Sequence, residues 1–308
     1  NHFGSSIVNQ NISSIVRDPS LLSQIDVSLE NNKSGILDIE IKKPNFQFFK
    51  VSVMPGPSNL LEDSNSVIIF FKDLTDIIKV QKLKSDFVAN VSHELRTPLQ
   101  SIKLGLETIN NGHAAKDLES QKKILPVVLQ QTSRMENIVN DLLSLSRIEL
   151  QEHIRPNEKV NLNDIISHSI ELHQEILKKN NIECQFERES KNVKINGDRN
   201  RLIEVFNNLI DNGIKYSEKN KKITITTKSE NKNFLVTIKD QGIGISKENI
   251  PQVTERFFRV DPAKSKEVGG TGLGLAIVKH IVNQHRAEMT ISSEINKGTE
   301  ISLNFPTI

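Results

Sequence analysis

A long stripe of apolar residues constrains the fold of this chain more than any other feature. From Asp76 onward, apolar residues recur at steps of three and four, which is the period of one helix face. The stripe predicts a long helix that ends at a loop over Asn110–His113, and a second stripe predicts another helix beyond that loop. The first stripe comprises Ile77, Val80, Leu83, Phe87, Val91, Leu95, Leu99, Ile102, Leu106 and Ile109, and the second comprises Ile124, Val128, Met135, Ile138, Leu142 and Leu145.

Each of these helices has one narrow stripe, and a hairpin of the two would leave apolar surface uncovered. A symmetric dimer, in which two hairpins form a four-helix bundle, is the simplest arrangement that covers it. The pattern therefore predicts a homodimer.

The residue pattern changes near positions 75 and 150, which predicts three domains. Residues 1–75 read as short strands after a helical segment, residues 76–150 as the helical hairpin, and residues 151–308 as an α/β fold, with the polar stretch Gln151–Glu158 as the linker. The predicted strands are Ile36–Ile41, Phe46–Val53, Ser66–Phe71, Ile182–Glu187, Ile223–Lys228, Phe234–Asp240, Met289–Ser293 and Glu300–Phe305; Pro55–Pro57 separates the second from the third, and Leu162–Lys178 and Asn200–Tyr216 are predicted helices.

Composition excludes several classes of protein. The chain has 40 Lys and Arg against 38 Asp and Glu, so it lacks the basic excess of a nucleic-acid-binding protein. The single cysteine, Cys184, excludes an internal disulfide framework and is typical of a reducing compartment. The longest apolar run, Val67–Phe71, is far shorter than the about 20 residues that span a bilayer, and there is no signal peptide. Because Asn1 falls inside what reads as a domain, we expect a fragment of a longer protein.

His93 is the first candidate for chemistry. It lies off the apolar stripe that holds Val91 and Leu95, so we expect its ring to face solvent. Glu94 could accept a hydrogen bond from the Nδ1 proton, which would leave Nε2 as a nucleophile. Pro98 removes the backbone hydrogen bond to Glu94 and should bend the helix.

Two asparagines form a second candidate site. Asn208 and Asn212 are one helical turn apart on one face, where their amide oxygens could hold a hydrated Mg²⁺ whose other ligands come from phosphates. Lys215 could reach the same phosphates.

Two glycine-bearing segments complete the set. Asp240 ends a predicted strand and is followed by Gly242 and Gly244, where it could accept a proton from an adenine amino group while the glycines let the base approach. Gly269–Val278 places glycines before an apolar helix, which suits a triphosphate. This segment has neither the Lys-Ser/Thr of a P-loop nor a preceding strand, so the Walker and Rossmann motifs are excluded. Taken alone, each candidate has a plainer interpretation: a surface histidine, an Asn-rich surface helix, or a turn.

Together these segments resemble the motifs of two-component sensor histidine kinases, in the family's order and over residues 80–305. Phe87–Leu99 resembles the H box, Asn208–Ser217 the N box, Asp240–Ile245 the G1 box, Glu255–Asp261 the F box of an ATP lid, and Gly269–Val278 the G2 box. The N box has Gly213 where Ala is usual, and His285-Arg286-Ala287 replaces the usual His-Gly-Gly in a turn.

The resemblance implies a fold for each domain. Residues 151–308 would form an α/β two-layer sandwich of the Bergerat (GHKL) ATP-binding type, and residues 76–150 the dimerisation and phosphotransfer hairpin. Residues 1–75 resemble the C-terminal part of an α+β PAS sensor domain, with Asp73-Leu74-Thr75 at its closing Asp-Ile-Thr. This combination is similar to the phosphate-regulon sensor type.

The resemblance also implies the site residues. His93 would be the phosphoacceptor, assisted by Glu94, with Thr97 orienting a hydrolytic water in a phosphatase reaction. ATP and Mg²⁺ are the implied cofactors, and Asn212 is the implied magnesium ligand. Either Arg256 or Arg259 would contact the γ-phosphate, unless both are solvated charges of the lid. The implied nucleotide-binding residues are Asn208, Asn212, Lys215, Tyr216, Asp240, Gly242, Gly244, Arg256, Phe257, Arg259, Gly270, Thr271, Gly272, Leu273 and Gly274.

The implied partner is the receiver domain of a response regulator, whose aspartate takes the phosphoryl group. The chain would be a cytoplasmic portion, and its parent a protein anchored in the bacterial inner membrane through segments absent here. Three alternatives differ in activity. An ATPase of the gyrase, Hsp90 and MutL type would need a glutamate at Asn208 as the base for water. A scaffold would bind ATP without turnover, and a third protein would act mainly as a phosphatase.

Overall fold

The computed structural model describes residues 11–15, 18–41, 46–56, 66–111, 117–190, 193–218, 220–230, 232–261, 265 and 269–308. The chain divides into two compact units, residues 1–89 and 90–308. No helix among the described residues is long and apolar enough to cross a membrane.

The first unit packs helices on a small sheet. Two helices, α1 (Ile12–Ile15) and α2 (Pro19–Asn31), precede the antiparallel strands β1 (Gly35–Ile41), β2 (Gln47–Pro55) and β3 (Val67–Asp73), which pair in that order. Asp18 caps α2 by accepting from two backbone N–H groups. The three predicted strands are therefore present, whereas Pro57, predicted in the break after β2, lies outside the described residues. The core of the unit is Leu21, Ile25, Ile39, Phe49, Val51 and Val53.

A hydrogen-bonded junction joins β3 to the helix that follows it. The Asp73 carboxylate accepts from the Thr75 backbone N–H at 2.9 Å, and the Thr75 hydroxyl accepts from the Phe48 N–H at 3.0 Å. The Leu74 N–H donates to the Phe48 carbonyl at 2.8 Å. Asp73-Leu74-Thr75 therefore ties the start of the helix to the middle strand.

Two long helices form an antiparallel hairpin. α3 spans Thr75–Asn111 and continues through Pro98, and α4 spans Leu118–Gln151. The helices approach closely at Gly105, where an added Cβ would lie 2.6 Å from a methyl group of Val128. Asn110 and Asn111, predicted to begin a loop, belong to α3 instead, and the other residues of that prediction, Gly112 and His113, lie outside the described residues.

The second unit also contains a mixed sheet with helices on one face. The remaining elements are β4 (Lys159–Asn161), α5 (Leu162–Leu172), α6 (Gln174–Lys179), β5 (Glu183–Glu187), β6 (Lys194–Asn196), α7 (Arg199–Tyr216), β7 (Lys222–Glu230), β8 (Asn233–Lys239), α8 (Gly274–Gln284), β9 (Glu288–Glu294) and β10 (Gly298–Pro306).

The five-stranded sheet has the order β5-β7-β8-β10-β9, parallel only between β5 and β7. Its inward residues alternate with polar ones, as expected for a sheet covered on one face. Helix α7 packs on β7 and β8, and α8 packs on β9 and against α7. The core between the layers contains Leu202, Phe206, Leu209, Ile223, Ile225, Phe234, Val236, Ile277, Ile281, Leu303 and Phe305.

Two local predictions differ from the structure. The helix predicted over Leu162–Lys178 is interrupted at His173, whose side chain contacts the Ser169 carbonyl at 2.8 Å, and it forms two helices instead. The small sheet of β4 and β6 was not predicted, because strands of three residues are too short to show alternation.

The predicted linker is held against the sandwich. Arg155 donates to the carbonyls of Asn283 and Gln284 at 2.8 and 2.9 Å, and the Gln284 amide donates to the carbonyls of Gln151 and Ile154 at 3.1 Å each. These bonds attach the segment after α4 to the last turn of α8, which packs against α4.

His285 organises the turn after α8 as a neutral histidine. Its Nδ1 contacts the Ile281 carbonyl at 2.7 Å, and its Nε2 accepts from the Asp198 backbone N–H at 3.0 Å. Burial is the main cause that lowers the pKa of His285 below 6.5, because desolvation disfavours the imidazolium. The next residue, Arg286, has a φ of 56°, in the left-handed region that glycine adopts without steric cost. Glycine is the usual residue here in the motif that this turn resembles.

The lowered pKa of His285 predicts that the folded protein loses stability in acid. His285 binds a proton at a higher pH in the unfolded chain than in the folded one. Its contribution to the free energy of unfolding is therefore complete above about pH 6.5 and declines as the pH falls below that value. We expect His285→Gln to weaken the dependence of the urea-unfolding free energy on pH between 7.5 and 5.5, with His153→Gln, an exposed site, as the control. An unchanged dependence in His285→Gln would contradict the assignment.

Candidate functional site

His93 lies on α3 with an exposed side chain, as its position off the stripe predicted. Val91 and Leu95 beside it are half-buried. The Thr97 hydroxyl donates to the His93 carbonyl at 3.3 Å, so Thr97 stands one helical turn beyond the histidine on the same face. The ring is therefore open to an incoming group.

Glu94 points to two arginines. Its Oε1 accepts from Arg259 at 3.2 Å, and its Oε2 accepts from Arg259 at 2.9 Å and from Arg134 at 3.2 Å. Within the described part of the chain, no hydrogen bond joins the Glu94 carboxylate to the His93 ring, which differs from the predicted arrangement. The carboxylate is occupied instead by the two arginines.

A pocket lies between α7, the end of β8, the segment before α8 and the start of α8. The empty space of the pocket, including its open mouth, is about 1020 Å³. Of the predicted nucleotide-binding residues, those that line it are Asn212, Tyr216, Asp240, Gly244, Arg259, Gly272 and Gly274; the apolar part of the lining includes Leu209, Ile238, Ile243, Val253 and Ile301.

Asp240 is the acidic residue in the pocket wall that follows β8. Its Oδ1 accepts from the Gly242 N–H at 2.8 Å and from the Thr299 N–H at 3.1 Å. Both bonds use one oxygen, so Oδ2 remains available to a ligand. Burial raises the pKa of Asp240, and the two backbone N–H groups partly oppose that shift.

Gly244 and Gly298 let the β9–β10 turn close on the loop after Asp240. Gly244 has a φ of 69°, and an added Cβ would lie 2.0 Å from the Glu294 carbonyl oxygen. Gly298 has a φ of 104°, and an added Cβ would lie 2.0 Å from the Asp240 carbonyl oxygen. The other predicted glycine of this loop, Gly242, lies against the Tyr216 carbonyl, 2.5 Å from its own added Cβ. Sequence reasoning missed Gly298, which has no motif around it.

Replacing Gly298 with Ala is therefore expected to lower the free energy of unfolding by about 3 kcal/mol, from the clash together with the backbone strain. Urea unfolding measures this change. Gly269→Ala is the matched control, because Gly269 has a φ of 73° but no atom within 4 Å of an added Cβ. Its loss should be about 1 kcal/mol, and equal losses in the two variants would contradict the steric explanation.

Helix α7 presents the two asparagines differently. Asn208 donates to the Glu204 carbonyl at 2.9 Å, and its Oδ1 would lie 2.6 Å from a Cβ added at Gly274. Asn208 therefore lies behind the first residue of α8, whereas Asn212 lines the pocket. Lys215, predicted to reach the phosphates, is paired with Asp211 at 2.6 Å and is not among the lining residues. The hydroxyl of Tyr216 meets that of Ser265 at 3.2 Å.

The two arginines of the predicted lid contact different parts of the protein. Arg256 pairs with Glu149 of α4 at 2.5 Å, whereas Arg259 lines the pocket. Phe257 has a φ of 63°, and its N–H donates to the Gly272 carbonyl at 2.8 Å. This bond attaches the lid to the glycine segment and places Arg259 between the pocket and Glu94.

The glycine segment wraps around the start of α8. Gly272 has a φ of 75°, and an added Cβ would clash with the Phe257 backbone at 2.9 Å. Gly270 lies near the Tyr216 hydroxyl, and Leu273 is fully buried as the residue before α8. The Thr271 hydroxyl donates at 2.7 Å to Asp141 of α4.

Asp141 is a contact that the sequence pattern did not reveal. Desolvation raises the pKa of its carboxyl group, and the Thr271 hydroxyl and the nearby Lys215 partly oppose that shift. Its signal in the sequence is weak, because a lone aspartate on an amphipathic helix usually belongs to the solvated face.

The pocket has the chemistry of a nucleotide site. Asp240 offers a desolvated acceptor, the glycines leave room for close backbone approach, and α8 begins at the pocket with free backbone N–H groups. No group of three or more His, Cys, Asp or Glu side chains that could hold a metal ion occurs among the described residues. A magnesium ion at a nucleotide site takes several of its ligands from phosphates and water.

Comparison with known proteins agrees with this geometry. Residues 83–151 match the family described as His Kinase A (phospho-acceptor) domain. Residues 197–308 match the family described as histidine kinase-, DNA gyrase B-, and HSP90-like ATPase. The first match contains His93, and the second contains every lining residue of the pocket.

Curated relatives are similar over most of the chain. The sensor-like histidine kinase SenX3 of Mycobacterium tuberculosis is 33% identical over 255 residues, which cover 82% of this chain and 62% of that protein. The sensor protein kinase WalK of Staphylococcus aureus is 34% identical over 289 residues, which cover 90% and 66%. The chain thus spans less than two thirds of the length of these relatives.

The fold is shared with a solved histidine kinase. The crystal structure of histidine kinase ThkA in complex with response regulator protein TrrA matches with a TM-score of 0.58 and 22% identity over 97% of this chain and 86% of that chain. The helical hairpin and the α/β sandwich occur here in the order of the two matched families. With these two domains and with relatives of this kind, the chain belongs to the family of two-component sensor histidine kinases.

Proposed function

We propose that this chain transfers the γ-phosphoryl group of ATP to Nε2 of His93. The observation that carries the proposal is the contact between Glu94, the neighbour of His93, and Arg259, which lines the nucleotide pocket. This contact shows that the phosphoacceptor helix and the pocket lie within one side chain of each other. The exposed ring of His93 leaves room for the triphosphate.

The transfer exchanges one bond for another. Nε2 of the neutral imidazole forms a bond to the γ-phosphorus, the bond from that phosphorus to the bridging oxygen breaks, and its electron pair stays on ADP. The ring becomes positively charged and keeps its proton on Nδ1. Glu94 provides the negative charge that stabilises the ring at this step. Catalysis otherwise consists of positioning.

We assign the parts of ATP to the pocket by chemistry. The free Oδ2 of Asp240 suits the adenine amino group, and the segment Gly270–Gly274 at the start of α8 suits the phosphates. Arg259 is the arginine for the γ-phosphate, since it lines the pocket and Arg256 does not. Magnesium would be held by Asn212 and the phosphates, and it would neutralise charge on them.

We propose residues 1–75 as the C-terminal part of a PAS-like sensor domain, 76–150 as the dimerisation and phosphotransfer domain, and 151–308 as the catalytic domain. Exposed apolar side chains remain on both helices of the hairpin, and a second copy that completes a four-helix bundle would cover them. They include Leu99, Leu104, Leu106, Leu125, Leu129, Val139 and Leu143.

The acceptor of the phosphoryl group would be an aspartate of a response regulator. The similar ThkA is found in complex with the response regulator protein TrrA. In this proposal Thr97, one turn after His93, orients a water that removes the phosphoryl group from the regulator. Anchoring of the parent protein in the bacterial inner membrane completes the proposal.

Labelling with γ-labelled ATP and Mg²⁺ tests the proposed function. We expect a labelled protein whose label is lost in acid and survives base, because the N–P bond of phosphohistidine is acid-labile. Digestion and mass spectrometry should place the label on His93. Free phosphate without labelled protein would instead indicate an ATPase or a dominant phosphatase, and ATP binding without turnover would indicate a scaffold.

A further inference from the structure

We propose that Arg134 is a positioning residue that holds the Glu94 carboxylate beside His93 when Arg259 turns to the triphosphate. The inference rests on the proposed function. Arg134 is on α4 and belongs to none of the five sequence motifs.

Arg134 occupies a position where an apolar residue would be expected. The buried residues of α4 are Arg134, Ile138, Leu145 and Ile148, so the arginine continues an apolar face. Its side chain is 8% exposed, and its Nε has no partner in the described part of the chain. A buried guanidinium is unfavourable unless it is paired, and an apolar side chain would pack there at least as well. Packing alone therefore does not account for the residue, whereas its contact with Glu94 does.

Glu94, Arg134 and Arg259 form a buried carboxylate clamp. The exposed fractions of the three side chains are 14%, 8% and 6% respectively. Two guanidinium groups share one carboxylate, so the clamp has one positive charge in excess. Arg259 also donates to the Thr271 carbonyl at 3.0 Å, which ties it to the glycine segment. One of the two arginines can therefore move to another anion while the other remains paired with Glu94.

In this proposal Arg259 turns its fork of donors away from Glu94 to reach the triphosphate. Both of its terminal nitrogens are bonded to the carboxylate. When Arg259 moves to the γ-phosphate, Oε1 of Glu94 loses its arginine, whereas Oε2 keeps the bond from Arg134. The released Oε1 is then available to the Nδ1 proton of His93. Arg134 thus holds the carboxylate in place through Oε2 while Oε1 is free for the ring of His93.

The clamp makes a specific prediction for the kinetics of autophosphorylation by the 308-residue chain. Arg134→Met keeps the length and the apolar packing of the side chain but removes its charge. We expect the rate at saturating ATP to fall about 30-fold or more, with the KM for ATP unchanged within about twofold, because the pocket does not include Arg134. Arg134→Lys should restore part of the rate, since it keeps the charge but not the fork of donors.

A double-mutant cycle with Glu94→Gln separates positioning from a structural role. If Arg134 acts through Glu94, then Arg134→Met should have little further effect in the Glu94→Gln background. The matched control is Arg147→Met, an exposed arginine of the same helix, which should leave both constants unchanged. Thermal unfolding and ATP affinity show whether each variant is folded, and Arg134→Gln replaces Arg134→Met if the latter is not.

Three results would overturn the inference: a normal rate in Arg134→Met, a raised KM with a normal maximal rate, or an equal loss in both Glu94 backgrounds. If the wild-type chain binds ATP but takes up no label on His93, the proposed function itself fails. The two failures are thus distinguishable.

Discussion

Replacement of His93 with glutamine is expected to abolish the acid-labile label while leaving ATP affinity within about twofold of the wild type. Glutamine has an amide at nearly the same reach but no nucleophilic ring nitrogen, so the transfer has no acceptor. The side chain is exposed on α3 and outside the pocket, so neither folding nor nucleotide binding depends on it. Gel autoradiography and equilibrium binding of a nucleotide measure the two quantities.

His153→Gln is the matched control for this experiment, because His153 is also exposed and follows directly after α4. It should be labelled at the wild-type rate. Label that persists in His93→Gln with the same acid lability would remove His93 from the mechanism and direct attention to another histidine. Loss of ATP affinity in His93→Gln would mean that the acceptor helix contributes to the nucleotide site.

Replacement of Asp240 with asparagine is expected to raise the Kd for ATP about 100-fold, which corresponds to about 2.7 kcal/mol. The Asp240 carboxylate accepts from the Gly242 and Thr299 N–H groups through one oxygen. In the variant the amide oxygen can keep those bonds, and the NH₂ group then replaces the acceptor that faces the pocket. A donor opposite the adenine amino group repels it, so affinity falls without unfolding the loop.

The control for this variant is Asp164→Asn, an exposed carboxylate of α5 paired with Arg188 at 3.5 Å. It should bind ATP normally. Isothermal titration at matched Mg²⁺ provides both constants, and circular dichroism confirms the fold. Wild-type affinity in Asp240→Asn would contradict the adenine assignment, whereas a loss of thermal stability would indicate that the carboxylate mainly supports the loop.

Local periodicity accounts for the correct fold predictions. The stripe from Ile77 to Ile109 predicts α3 because burial on one helix face needs apolar residues at steps of three and four, and this requirement is local. Alternation similarly predicts β7, β8 and β10. The strands β4 and β6 were not predicted, because three residues are too few to show alternation.

The pocket was predictable to the extent that its residues lie in short motifs. Asp240, Gly244 and Gly272 line it, as expected from the chemistry of carboxylates and glycines next to a helix start. Lys215 was expected to reach phosphates, but it forms a salt bridge with Asp211. Residue spacing alone does not decide whether a lysine pairs with a nearby carboxylate or with a ligand. Gly298 has no motif and is required only because its neighbour in space is the Asp240 carbonyl.

By itself the sequence determined the long helices, the longer strands, the exposed face of His93 and seven of the residues that line the pocket, since each follows from residues within a few positions of one another. Only the tertiary structure decided which groups meet Glu94. The partners Arg134 and Arg259 lie 40 and 165 residues away along the chain. Charges that are far apart in sequence interact only after packing has removed water from between them, because water screens them at larger separations.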